Sequence, residues 1–322
     1  MSLLHRYCGA LVGVLAGDAL GAPYEHQKAA VIREDLTRRG GLVPFDYLDP
    51  WEKVRQVKSG QPTDDSELTA CLGISLGKRP MFDADDLYHR LRDFIHGRQS
   101  VLTDGPAYGS GGTLRAALKP TSYAESLASF ERGEVPVVPS NGSLMRCAPV
   151  ALCCHGNIAE IIDFAARQSR VTHVHPSAQA ACVIYSVLMS LLLDGTAPSV
   201  AWYKTQDMLF VHRYARTNEM VQPLLSINTY QPEESEIWPQ TGSVVLSLRI
   251  ALWALLSASS FRDGITRAVS VGGDTDTYAA IAGGLLGAVY GTEGIPREWR
   301  EVLIGREKME DIATSLYEVA RA

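Results

Sequence analysis

Two short segments carry the residues with the most chemistry to offer: Thr63-Asp64-Asp65, inside Pro62-Thr63-Asp64-Asp65-Ser66-Glu67, and Asp274-Thr275-Asp276-Thr277, directly after Gly272-Gly273. Each stands before an apolar run at helical spacing, Leu68, Cys71 and Leu72 in one case and Ala279, Ile281 and Leu285 in the other, the place of a helix N-terminus. One such motif reads most simply as a helix cap, and Asp64 and Glu67 have the spacing of a capping box. Two of them, both mixing close carboxylates with threonine hydroxyls, point towards a cation site. Carboxylate and hydroxyl oxygens are hard ligands suited to Mg²⁺, Mn²⁺ or Ca²⁺, and neither motif holds the Cys or His that zinc favours. The four aspartates would offset the charge of two divalent ions. The positive end of a helix favours ionised carboxylates, so these acids are expected to be charged and ready to coordinate at neutral pH. Two ions close together can polarise substrate oxygens and activate a water.

Three further segments could hold a ligand. Pro139-Ser140-Asn141-Gly142-Ser143-Leu144-Met145-Arg146 sets small and amide residues around a glycine, which suits a backbone wrapped round phosphate or sugar hydroxyls, and equally an exposed turn. Tyr108-Gly109-Ser110-Gly111-Gly112-Thr113 runs into a helical pattern, which makes Gly111 and Gly112 candidate phosphate contacts. Thr172-His173-Val174-His175-Pro176 follows a helical stretch, and its histidines could touch an anion or satisfy the last carbonyls of the helix. Gly9, Gly13, Gly17 and Gly21 stand four apart and so share one helix face. Each glycine weakens a helix by about 1 kcal/mol relative to alanine, so another backbone or a ligand is expected to come close there. Asp18 and Glu25 place acids beside that face.

Apolar residues recur at helical spacing almost throughout: Leu4, Tyr7, Leu11 and Val14; Leu87, Leu91 and Phe94; Ile158, Ile161, Ile162 and Ala165; Val244, Leu248, Leu252 and Leu255. Strand-like alternation is scarce, so the expected fold is a compact all-α domain spanning 1–322, with long surface loops at 40–60 and 222–242 and a break at Lys78-Arg79-Pro80. Acidic motifs near opposite ends of the chain favour one domain over two. A formal charge of -6 argues against a constitutive grip on nucleic acid, which needs a basic surface. The six cysteines form no CxxC pair and read as reduced core residues of a cytoplasmic protein, with a redox role for adjacent Cys153 and Cys154 as the lesser alternative. The apolar N-terminus lacks a basic n-region and is interrupted by Asp18, and Ala180–Leu193 is shorter than a bilayer requires, so no membrane association is expected.

Taken in order along the chain, these segments resemble the ADP-ribosylglycohydrolase family, which includes the dinitrogenase reductase activating glycohydrolases and the vertebrate ADP-ribosylhydrolases. The resemblance runs from Gly13-Val14-Leu15-Ala16-Gly17-Asp18-Ala19-Leu20-Gly21 and Glu25, through Thr63-Asp64-Asp65-Ser66, Asn141-Gly142-Ser143-Leu144-Met145-Arg146 and Thr172-His173, to Gly272-Gly273-Asp274-Thr275-Asp276-Thr277 and Ile295-Pro296-Arg297-Glu298-Trp299. It implies a compact orthogonal helical bundle and a hydrolase, two Mg²⁺ or Mn²⁺ ions, and an ADP-ribosylated protein, nucleic acid or small molecule as substrate. Thr63, Asp64, Asp65, Asp274, Asp276 and Thr277 fall at the metal-ligand positions. Asn141, Gly142, Ser143 and His173 would contact ribose and diphosphate. Glu25 would transfer a proton or activate water, beside a water held by Asp64 and Asp65. The acceptor side departs from many relatives: Ala107-Tyr108-Gly109-Ser110-Gly111-Gly112-Thr113 replaces Asp-Ile-Gly-Asn-Thr-Thr, Ser243 replaces a tyrosine, and Ser66 replaces a threonine. Two competing readings exist. One is a relative that binds ADP-ribose without cleaving it; the other takes Asp274-Thr275-Asp276 as the start of a haloacid-dehalogenase-type phosphatase, which would need a preceding buried strand.

Overall fold

A computed structural model describes residues 1–49, 56–78, 81–97, 99–211, 224 and 227–321. The expected helices form, in the order α1 (Leu3–Gly21), α2 (Ala29–Arg39), α3 (Asp64–Leu76), α4 (Ala84–Gly97), α5 (Gly112–Ala117), α6 (Tyr123–Glu131), α7 (Ala148–Cys153) and α8 (Ile158–Arg170). There follow α9 (Pro176–Leu193), α10 (Pro198–Val211), α11 (Glu234–Ile237), α12 (Val244–Ser257), α13 (Phe261–Ser270), α14 (Thr275–Gly294), α15 (Arg297–Arg300) and α16 (Arg306–Val319). The fold is all-α. Strand pairing among the described residues is limited to a two-residue antiparallel ladder of β1 (Tyr47–Leu48) and β2 (Gln56–Val57) and isolated bridges.

The centre is the pair α1 and α14, which run antiparallel because the four-residue glycine stripe of α1 meets a matching stripe. A methyl on Gly9 would collide with the Gly287 carbonyl, one on Gly13 with Gly283, one on Gly17 with Ala279 and one on Gly21 with Thr275. Backbone touches backbone at each of these four positions, and the small-residue face is thus spent on helix packing. This contact brings the C-terminal end of α1 to the N-terminal end of α14, more than 250 residues later in the chain. Around it lie α3, α7 and α16 on the α1 side and α9, α12 and α13 on the α14 side.

The outer helices are amphipathic. In α8, Ile161, Phe164 and Ala165 face the core while Glu160, Asp163 and Arg167 face solvent. Residues Leu3–Tyr24 and Pro176–Leu193 are long and apolar enough to cross a membrane by length and composition, but most of each is buried inside the bundle. All six cysteines are free; five are buried and Cys8 is partly so. Two loops hold more structure than their sequences suggest: 40–60 contains the β1–β2 ladder, and 222–242 contains α11 and 3-10 turns at Ile227–Thr229 and Trp238–Gln240. After Leu76 the break begins at Gly77; Arg79 and Pro80 lie outside the described residues.

Candidate active site

The segment after α1 is tied to the segment before α14 by backbone bonds. His26 N–H donates to Gly273 O (2.7 Å), Gly273 N–H donates to Gln27 O (3.1 Å), and Lys28 bridges Gly272. Gly272 and Gly273 have φ of +79° and +82°, a region that side chains disfavour, and a methyl on Gly272 would stand 2.6 Å from Gln27 O. The glycine pair therefore lets the Glu25 segment lie directly on the start of α14. Carboxylate oxygens of Glu25, Asp274 and Asp276 consequently come within 4.8 Å of one another.

Asp18 brings the other acidic motif to the same place. Its carboxylate, fully buried, accepts from Thr63 N–H (3.0 Å), Thr63 Oγ1 (2.7 Å), Ser66 N–H (3.0 Å) and Ser66 Oγ. The N-terminus of α3 is thus capped by a residue 45 positions earlier. The capping-box expectation for Asp64 and Glu67 fails for that reason. Glu67 turns away to accept from Ser100 Oγ and from Val101 N–H (2.6 Å) and Leu102 N–H (3.2 Å), fixing the loop that leads to Gly109. Asp64 and Asp65 are released from capping and face the cleft. Gly109 is required beside them, since its φ is +76° and a methyl there would collide with Asp64 Oδ1. Asp18 is the residue that sequence reasoning left without a role. The signal for it is a lone acid inside an otherwise apolar helical run.

Burial and mutual repulsion dominate the electrostatics. Asp64 is pushed up to about 8 by burial and then by Asp18 and Glu25. Burial also raises Asp65 and Asp276 well above the usual carboxylate range, reinforced by their carboxylate neighbours, and raises Asp274 as well, against a hydrogen bond from Asn141. The expectation that helix N-termini leave these acids ionised is therefore wrong for the protein without a cation. A helix end contributes about 0.3 to 1 kcal/mol, less than the cost of gathering several carboxylates in a space with little water. Asp65 Oδ1 is buried with no hydrogen-bond partner among the described residues. An orphaned carboxylate oxygen among acids whose joint ionisation burial and repulsion oppose, flanked by the Thr63 and Thr277 hydroxyls, is a donor set that fits hard divalent cations.

These residues line one cleft of about 300 Å³, which contains Glu25, Thr63, Asp64, Asp65, Asp274, Asp276 and Thr277, and also Gly111, Gly112, Asn141, Gly142 and His173. Asn141 spends its amide inside the protein, donating to Asp274 Oδ2 (2.7 Å) and Ser247 Oγ (2.9 Å), so it orients an acid of the cluster. Ser143 is not among the lining residues. Its hydroxyl is fully buried against Ser169 Oγ (2.8 Å), because the turn at Asn141–Gly142 directs the next side chain inward. Of the two histidines, His173 reaches the cleft and His175 caps α9, accepting from Ser177 N–H (3.1 Å). His26, Tyr47, Asp49 and Tyr108 also line the cleft. Tyr47 and Asp49 sit in the irregular segment around β1, where no periodic pattern marks a facing side chain.

A family model described as ADP-ribosylglycohydrolase matches residues 1–322. This chain belongs to the ADP-ribosylglycohydrolase family. Among its relatives, the ADP-ribosylarginine hydrolase Tri1 of Serratia proteamaculans is 26% identical over 98% of this chain and 80% of its own length. The ADP-ribosyl-[dinitrogen reductase] glycohydrolase of Rhodospirillum rubrum is 26% identical over 92% and 90%, and the ADP-ribosylhydrolase ARH3 of Homo sapiens 24% identical over 98% and 94%. A solved structure titled as an ADP-ribosylglycohydrolase-related protein complex superposes with a TM-score of 0.73 at 27% identity, covering 99% of both chains. Membership in the glycohydrolase family makes the chain a hydrolase of ADP-ribose linkages.

Proposed function

We propose that the chain is a divalent-cation-dependent hydrolase that cuts the glycosidic bond between ADP-ribose and an acceptor, releasing ADP-ribose. The observation that carries the reading is the convergence of Glu25, Asp64, Asp65, Asp274 and Asp276 in one cleft that Gly111, Gly112, Gly142 and His173 also line. Two Mg²⁺ ions, or Mn²⁺, held by Thr63, Asp64, Asp65, Asp274, Asp276 and Thr277, would polarise ribose oxygens and make bound water more acidic. Glu25 takes the proton of the attacking water. The water oxygen bonds to the anomeric carbon as the bond to the acceptor breaks, and the acceptor takes up a proton from solvent, which later receives the one held by Glu25. The developing oxocarbenium charge is stabilised by the surrounding carboxylates. The glycine-rich loops present backbone N–H groups and room for the ribose and diphosphate.

The acceptor is proposed to be a protein side chain, a nucleic acid or a small molecule. The loop at 107–113 offers no acid for an arginine, whereas Asp49 supplies one to the lining from the β1 segment. The deciding experiment incubates the purified chain with arginine-, serine- and nucleic-acid-linked ADP-ribose, with Mg²⁺ or with EDTA, and measures free ADP-ribose. Cation-dependent release from one linkage is expected. Release that chelation leaves untouched overturns the cation requirement, and binding of ADP-ribose with no release from any linkage favours a binding-only relative.

A further inference from the structure

Behind the Asn141–Gly142 turn a buried arginine connects to the cleft histidine, and the donors it supplies favour one order along that connection. Arg146 is fully buried; its Nε donates to Gln168 Oε1 (3.0 Å), and its Nη2 donates to Gln168 O (2.9 Å) and Thr172 Oγ1 (2.9 Å). Burial lowers its pKa only to about 10, so at neutral pH it remains a cation whose nitrogens can only donate. Thr172 Oγ1 therefore accepts from Arg146. The hydroxyl proton of Thr172 is directed to His173 Nδ1, 2.8 Å away, the acceptor within its reach among the described residues. A ring nitrogen that accepts carries no proton, so the single proton of a neutral imidazole sits on Nε2. That edge of the ring lies against the cleft: a methyl on Gly142 would stand 3.0 Å from both Cε1 and Nε2 of His173.

We infer that Arg146 and Thr172 are positioning residues that hold His173 as the neutral Nε2–H tautomer, a fixed hydrogen-bond donor to an oxygen of the ADP-ribose moiety. The inference rests on the ADP-ribose reading of the cleft. A histidine in such a place could otherwise shuttle a proton or pair with the diphosphate as imidazolium, and both roles need a ring that gains a proton. Burial, and then the neighbouring Arg146 charge, hold this ring down at about 3. The burial of the Arg146 charge also asks for a reason. Among the described ion pairs it has no carboxylate partner, and its Nη1 is buried without a hydrogen-bond partner. An apolar side chain of similar volume would avoid that desolvation cost, whereas a buried cation that dictates the direction of the Thr172 proton has a use for its charge.

The test labels the full chain with [¹⁵N]histidine, without ligand, and reads the protonation of each ring nitrogen from long-range ¹H–¹⁵N correlations. His173 is identified among the eight histidines by the signal lost in His173→Gln. The expected spectrum shows protonated Nε2 and bare Nδ1, unchanged between about pH 8 and about pH 5. An Nδ1–H tautomer or an imidazolium signal in that range overturns the inference and needs no further variant. Thr172→Val is expected to lose the fixed tautomer and to weaken calorimetric binding of free ADP-ribose about tenfold, while Thr172→Ser keeps both. A folded Thr172→Val chain with the same tautomer and affinity also overturns it. Failure of the functional reading looks different: a wild-type chain with the Nε2–H tautomer that binds no ADP-ribose overturns the ligand assignment and leaves the relay standing.

Discussion

Asp18 touches neither the cleft nor, in the proposed chemistry, a cation, yet four hydrogen bonds to its carboxylate set where Thr63, Asp64 and Asp65 point. Asp18→Asn keeps the shape, but an amide nitrogen cannot accept, so about half of those bonds are lost. Removing such support behind a cation site typically weakens affinity 10- to 100-fold, and a fall of about that size in Mn²⁺ affinity is expected by calorimetry. An unchanged affinity would mean that α3 holds its own N-terminus. Glu25→Gln separates proton transfer from binding. Turnover should fall by about 10²-fold or more, with ADP-ribose affinity within a few-fold of wild type; normal turnover would remove Glu25 from that step. At this scale the two acidic motifs were legible in the sequence because the residues of each are contiguous. The inward turn of Ser143 and the tether at Asp18 were not, since each depends on a partner from a distant helix.

Between helices, the glycine stripe of α1 makes a prediction whose sign is informative. Alanine at an ordinary glycine in a helix stabilises by up to about 1 kcal/mol, and Gly97, with nothing near its would-be Cβ, should behave so or remain neutral. Gly13→Ala should instead destabilise by about 1 to 3 kcal/mol, because the methyl would drive α1 off the Gly283 backbone. Denaturant unfolding compares the two, and a stabilised Gly13→Ala would refute the close α1–α14 contact. The partner stripe at Gly283, Gly287 and Gly291 also repeats every four residues, so the pairing could have been read by matching the two periods. Helix α2 is anchored differently. Asp35 accepts from Tyr24 OH (2.8 Å), Arg39 Nε (2.6 Å) and Arg38, binding α2 to the residue before Glu25. Burial would raise its pKa, but these donors outweigh it and hold the carboxyl at about 2. An acid depressed in the folded state stabilises above its unfolded pKa of about 3.9, and the contribution disappears as pH falls towards about 2. Asp35→Asn should therefore cost about 1 kcal/mol at pH 7 and almost nothing near pH 2, checked by denaturation at both pH values. An equal cost at both would show that the carboxylate charge is not what anchors α2.

Considered as a whole molecule, the bundle places its least stable chemistry where its two central helices converge. Helical periodicity made the architecture legible, since burial of amphipathic and apolar stripes is a sum of local choices. The ionisation of the cluster was illegible for the opposite reason: a local rule about helix ends was outweighed by Asp18, Glu25, Asp64, Asp65, Asp274 and Asp276 arriving together from three places in the chain. The consequence is a conflict between function and stability that can be measured. Without a cation, ionising Asp276 is opposed by burial first and then by Glu25, Asp65 and Asp274, so its charge destabilises the folded state. Mg²⁺ at about 100 times its dissociation constant should stabilise the wild type by about 2.7 kcal/mol, raising its melting temperature by about 5 °C. Asp276→Asn removes the cost of keeping that buried acid protonated and one proposed ligand together. In EDTA its melting temperature should exceed that of wild type, and Mg²⁺ should raise it by only a small fraction of the wild-type shift. An Asp276→Asn chain that melts below wild type in EDTA would show that the cluster is held by bonds within the protein, with no demand for a cation.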